Sequence, residues 1–121
     1  MDKQEWKRRT KAFGLRVLKL VRHLPRDVVG DVVARQLCRS GLSVGANYRS
    51  ACRGRSRAEF ISKLGVVLEE VDESAYWLEV IVEDGMLPAS KVAALLQEAN
   101  ELTAIFFTAT ATTRRGPLPK A

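Results

Sequence analysis

Histidine is nearly missing from this chain: His23 stands alone among 121 residues. That scarcity removes most metal and hydrolytic chemistry at once. A di-iron bundle needs Glu-x-x-His pairs on two helices and carboxylates from two more, yet Leu20, not a glutamate, lies three residues before His23. A serine or cysteine nucleophile needs a base that is itself oriented by a third group. One histidine beside Pro25 offers Ser40, Ser43 or Cys52 no such partner. No glycine-rich loop follows a strand, so phosphate-cradling motifs are missing as well. The chain is therefore expected not to be an enzyme and to use no cofactor or metal.

Cysteine is also scarce. Cys38 and Cys52 are the two in the chain, with no C-x-x-C spacing to suggest zinc or redox chemistry. Both fall on one expected helix, where 14 residues at about 1.5 Å each separate them by roughly 21 Å, too far for a disulfide. They read as small, buried, reduced thiols. No apolar run approaches the roughly 20 residues that span a bilayer. The N-terminal MDKQEWKRRTKAFG is basic but lacks the apolar segment and cleavage site of a signal peptide. The expected location is the cytoplasm, with no membrane partner.

What remains is helix. Strand signals are nearly absent, and apolar residues recur at a period near 3.6. Trp6, Thr10, Phe13, Val17, Leu20 and Leu24 form the seam of a first helix from about Lys3 to His23, ended by Pro25. Asp27 is a good N-cap for a second, running to about Arg53, with Gly30, Val33, Leu37, Ser40, Val44, Tyr48 and Ala51 on one face. Its small residues Ser40, Gly41, Ser43, Gly45 and Ala46 weaken helix propensity, which implies either a closely approaching neighbour or a kink. Ser56 and Glu59 make an S-x-x-E capping box for a third helix. Its seam is Phe60, Leu64, Val67, Val71, Ser74, Leu78 and Ile81, and Gly85 stops it. Pro88 suits the first turn of a fourth, with Val92, Leu95, Ala99, Leu102, Phe106 and Ala109 inward. The run TATATT is a poor helix former, so the domain is expected to span 1–113, followed by a basic, disordered tail over 114–121. Short connections make the helices antiparallel neighbours: an all-α, up-down-up-down four-helix bundle. Apolar residues outside the seams, Ile61, Leu68, Val80, Val82, Leu96, Ile105 and Phe107, suggest a subunit interface.

Charge is the other informative pattern. The net charge of +6 conceals +6 over residues 1–23, +4 over 24–55, −6 over 56–84 and +2 over 85–121. Basic helices could attract the acidic third helix, within one subunit or between subunits, or attract a polyanion. Arg49, Arg53, Arg55 and Arg57 gather near the second turn, with Lys63 beyond them. Lys7, Arg8, Arg9 and Lys11 make a second patch. Arginine forks suit phosphate, which makes Lys7, Arg8, Lys11, Arg49, Arg53, Arg55, Arg57 and Lys63 the candidate RNA- or DNA-binding residues. The competing expectation is that these arginines pair with Glu69, Glu70 or Glu73. Tyr48, Tyr76 and Trp77 are candidates for base stacking or for packing.

The segments SVGANYR, RSRAEFI and LEEVDESAYWLE resemble the four-helix-bundle family found as reading frames in intervening sequences of bacterial 23S ribosomal RNA genes. The similarity of pattern covers about residues 10–110. The resemblance implies a bundle assembling into a ring-like homopentamer, with no established enzymatic activity. A more distant relative of that fold is the accessory protein of diversity-generating retroelements, which implies nucleic acid and a reverse transcriptase as partners. Asn47, Arg49, Glu69, Glu70 and Glu73 would then mark a structural network shared by the family. Two readings stand: a non-enzymatic, oligomeric protein that binds RNA or DNA non-specifically, or an interaction scaffold whose charged helices serve homo-oligomer assembly.

Overall fold

A computed structural model describes residues 2–115, with side chains through residue 113. It contains four helices, α1 (Lys3–Val21), α2 (Val28–Cys52), α3 (Arg57–Glu83) and α4 (Ala89–Arg115). Each consecutive pair packs together, and α4 returns against α1, closing an up-down-up-down four-helix bundle.

Local chemistry sets the helix ends. The carboxylate of Asp2 accepts from the Gln4 N–H at 2.9 Å, and that of Asp27 from the Gly30 N–H at 2.8 Å. Ser56 Oγ accepts from Glu59 N–H at 3.1 Å, but Glu59 reaches back past Ser56 to the N–H of Arg55 at 3.4 Å, so the capping box closes one residue early. At the far end of α3, Gly85 takes a φ of +79°. Met86 N–H donates to the Ile81 carbonyl and Gly85 N–H to that of Val82, a complete Schellman stop.

The four seams converge on one core that includes Phe13, Leu37, Tyr48, Leu64, Leu78, Ile81, Leu102 and Phe106. Burying each such side chain contributes about 1.5–3 kcal/mol. Ser40 and Ser74 are buried where α2 meets α3, and the Ser74 hydroxyl donates to Ser40 Oγ at 2.9 Å. The small residues of α2 serve close approach: a Cβ on Gly41 would lie 2.8 Å from Val17 Cγ2, and one on Gly45 would lie 3.2 Å from the Lys11 backbone nitrogen.

Three expectations change. The TATATT run is helical, and within it Thr110 and Thr113 each turn their hydroxyl back to the carbonyl four residues earlier, at 2.8 and 2.7 Å. The helix therefore continues through Arg114 and Arg115, while the rest of the expected tail lies outside the described residues. Most of the surplus apolar residues pack at least partly: Leu68, Val80, Val82 and Leu96 are half-buried against the core, whereas Phe107 is 66% exposed. The cysteines are free and half-buried rather than buried.

Two glycines should respond to alanine in opposite directions. At Gly30 a Cβ would fall 1.9 Å from the Pro25 carbonyl oxygen, so Gly30→Ala should lower stability by about 1–3 kcal/mol. Gly65, inside α3, has nothing within 4 Å of a Cβ, and Gly65→Ala should raise stability by roughly 0.5–1 kcal/mol. Urea titration of both variants checks the pair.

Candidate nucleic-acid interface

Where α1 and α2 approach through Gly14 and Gly45, a shallow cleft of about 510 Å³ opens along their outer side. On α1, Lys7, Arg8 and Lys11 lie within about 100° of one another. On α2, Arg49 and Arg53 are one turn apart. All five line the cleft, over a floor of Gly14, Gly45 and Ala46 with Leu15 and Leu42 beside it. No carboxylate lines it. Among the described residues, none of the five is ion-paired. Arg8, Lys11, Arg49 and Arg53 are exposed and Lys7 is half-buried.

The structure thus regroups the expected residues. Arg49 and Arg53 join the α1 patch across the helix pair. Arg55 and Arg57 are exposed at the α2–α3 connection, and Lys63 is half-buried on α3; none of these three lines the cleft. Arg9 leaves the patch altogether. Its guanidinium forks onto Glu98, with Nε donating at 2.8 Å and Nη2 at 2.7 Å, and reaches Glu101 at 3.1 Å. It also lies 5.3 Å from the Trp6 ring centroid. The hydrogen bond to Glu98 holds its pKa above the ordinary arginine value.

The pairing of α2 with the acidic helix falls to Arg39, which the candidate set did not contain. Arg39 donates to Glu70 at 3.2 Å and to Glu73, whose carboxylate also accepts from Trp77 Nε1 at 3.1 Å. Arg39, one turn of helix before Ser43, shares a helix face with Arg35, Arg49 and Arg53, so periodicity gave no sign that it would differ from them. Arg49 is outside this network, and Asn47 donates instead to the Ser43 carbonyl at 2.9 Å. Of the aromatic candidates, Tyr48 is fully buried, its ring centroid 5.5 Å from that of Phe106. Burial, with the adjacent Cys52 thiol, raises its phenol pKa. Tyr76 is exposed but packs edge-on to Trp77, and neither lines the cleft. Burial also raises the pKa of the Cys38 thiol, against a smaller opposing effect of Arg22. Among the described residues no three His, Cys, Asp or Glu side chains gather as a metal site would require, and no helix is long and apolar enough to cross a membrane.

This chain belongs to the 23S rRNA-intervening sequence protein family, whose model matches residues 2–107. It is similar to a crystal structure of a protein with unknown function from the S23 ribosomal protein family of Bacteroides thetaiotaomicron. The two share 29% identity and a TM-score of 0.84, over 93% of this chain and 100% of that one. No curated protein matches the sequence.

The Arg39–Glu73 pair has a pH signature. Arg39, and then Trp77, hold the Glu73 carboxyl below its ordinary range. A depressed folded value means that this stabilisation is complete above the unfolded-chain value of about 4.3 and fades as pH falls through the folded value. Glu73→Gln should therefore be less stable than the parent at neutral pH, with the gap closing in acid. Urea midpoints measured across that range check it, and a gap independent of pH would show that the pair adds nothing through charge.

Proposed function

We propose that this member of the 23S rRNA-intervening sequence family is a non-enzymatic, cytoplasmic, oligomeric protein that binds RNA or DNA without sequence selectivity in the α1–α2 cleft. One observation carries the reading: five cations from two helices line a single cleft without a carboxylate or an ion-pair partner among the described residues. The bundle satisfies Arg9 and Arg39 with its own glutamates and leaves these five to solvent. Such an arrangement suits a phosphate backbone, each neutralised phosphate releasing counterions. Arg55 and Arg57 extend the basic surface past the end of α2. The ring-like homopentamer and the reverse transcriptase partner are carried by resemblance alone.

A specific observation favours a second reading. The basic α1 and the acidic α3 occupy opposite corners of the bundle and are not one of its packed helix pairs, although Lys3 reaches over the Phe60 ring. Among the described residues no ion pair joins them within one subunit, but their charges could pair between copies, and Val28, Val29, Val32 and Phe107 add exposed apolar surface. In that reading the basic residues serve homo-oligomer assembly.

Fluorescence anisotropy on a labelled DNA duplex, with light scattering in parallel, separates the two. Affinity should fall steeply with salt, and the triple replacement of Lys11, Arg49 and Arg53 by Ala should lower the log–log salt slope by about 0.9 for each phosphate no longer neutralised. Particle size should stay constant. A triple variant that falls apart favours the scaffold. Absence of binding to both duplex and single-stranded RNA at about 50 mM salt, where phosphate neutralisation is strongly favourable, refutes nucleic-acid recognition.

A further inference from the structure

A second cleft lies on another side of α1. Arg9 and Arg16 are spaced seven apart, which keeps them within about 20° on a helix, and His23 follows just past the end of α1. Arg9 shows that this face turns toward α4, where Glu98 and Glu101 meet it. Seven residues before Glu98, α4 presents Lys91 instead. The seam therefore changes from opposite to like charge along its length. Around that second stretch, Arg16, Lys19, His23 and Lys91 rim a cleft of about 560 Å³ that no carboxylate lines. Leu20 and Leu95, both buried, form its floor.

Neither feature is explained by folding alone. The α1–α4 seam is the thinnest of the four helix pairings, and cations gathered at an open seam repel one another more strongly beside an apolar wall than in bulk water. A cationic rim over an apolar floor, within the usual volume range of small-molecule sites of about 300–1,000 Å³, is complementary to one kind of ligand. We infer that the α1–α4 cleft binds a small amphipathic organic anion, with its carboxylate or phosphate at Arg16, Lys19 and Lys91 and its apolar body over Leu20 and Leu95. This site is separate from the α1–α2 cleft, shares no lining residue with it, and does not depend on nucleic-acid binding.

Calorimetric titration of the full chain with decanoate, decyl phosphate and inorganic phosphate, the amphiphiles below micelle formation, tests the inference. At least one amphiphile should bind, and inorganic phosphate should bind more weakly by at least about tenfold, since it gains nothing from the floor. The head group preferred identifies the charge that the rim selects. The double variant Arg16→Gln/Lys91→Gln should weaken amphiphile binding by about tenfold or more, while leaving duplex affinity within about twofold. Without ligand, Lys91→Glu should melt higher than the parent because it relieves the like-charge cluster. Failure of both amphiphiles to bind overturns the site. So does binding that the double variant leaves unchanged, or inorganic phosphate binding as tightly as the amphiphiles; a lower melting point for Lys91→Glu overturns the like-charge argument.

Discussion

The approach of α1 to α2 is the constraint on which the rest depends. Gly14 sits where a Cβ would come 3.3 Å from the Gly41 carbonyl oxygen, and Gly45 presses against the Lys11 backbone. Helices this close bring the residues flanking the crossing into register, so Lys7 and Lys11 face Arg49 and Arg53. With bulkier residues at the crossing, the two basic rows would move apart and the cleft between them would widen. The same crossing fixes Val17 against Gly41 and so sets the depth of α1 in the core. Glycine weakens a helix interior by roughly 0.5–1 kcal/mol relative to alanine, a cost that Gly41 and Gly45 offset because a neighbour occupies the space of a side chain.

Charge is then divided according to position around the helices. Arg9 and Arg39 point to seams where a neighbouring helix offers glutamate pairs, and they become cross-links, α1 to α4 and α2 to α3. Glu98, with its side chain 14% exposed beside an Arg9 at 29%, is shielded enough for that cross-link to be more than a surface pair, whereas Arg39, 49% exposed, makes the α2–α3 link a largely solvated one. The cations that rim the α1–α2 cleft meet only other cations. Acidic α3 stands diagonally across the bundle from α1, and its glutamates that meet α2 pair with Arg39 rather than with Arg49 or Arg53.

Periodicity made the fold legible. Almost every residue assigned to a seam is buried, with Trp6, Phe60 and Ala109 half-buried at the bundle's margins, and Asp27 and Ser56 cap the helices that they were expected to start. Such signals are local, carried by spacing along one helix. The destiny of individual cations was not legible, because it depends on what a neighbouring helix presents. Arg8 and Arg9 are adjacent in sequence, yet a rotation of about 100° sends one to solvent and the other to Glu98. The TATATT run misled for a related reason. Propensity counts the entropy that threonine loses in a helix, but here packing at Phe106 and Thr110 already holds the backbone, and the Thr110 and Thr113 hydroxyls bond back to the preceding turn without breaking it.

α1 is a wall shared by three environments, and its sequence separates them by angle. Phe13 and Val17 face the core, Lys7 and Lys11 face α2, and Arg9 and Arg16 face α4. Changes seven residues apart on this helix should therefore act on the same seam, while changes one residue apart act on different ones. The α4 seam shows how little is needed to alter a surface within that scheme. Glu98 and Lys91 occupy equivalent turns of α4, and the difference in sign between them turns a helix cross-link into an open cationic cleft. A bundle can thus carry distinct surfaces on one core, because the core requires only apolar residues at the seam positions and leaves the charge of the flanking positions unconstrained.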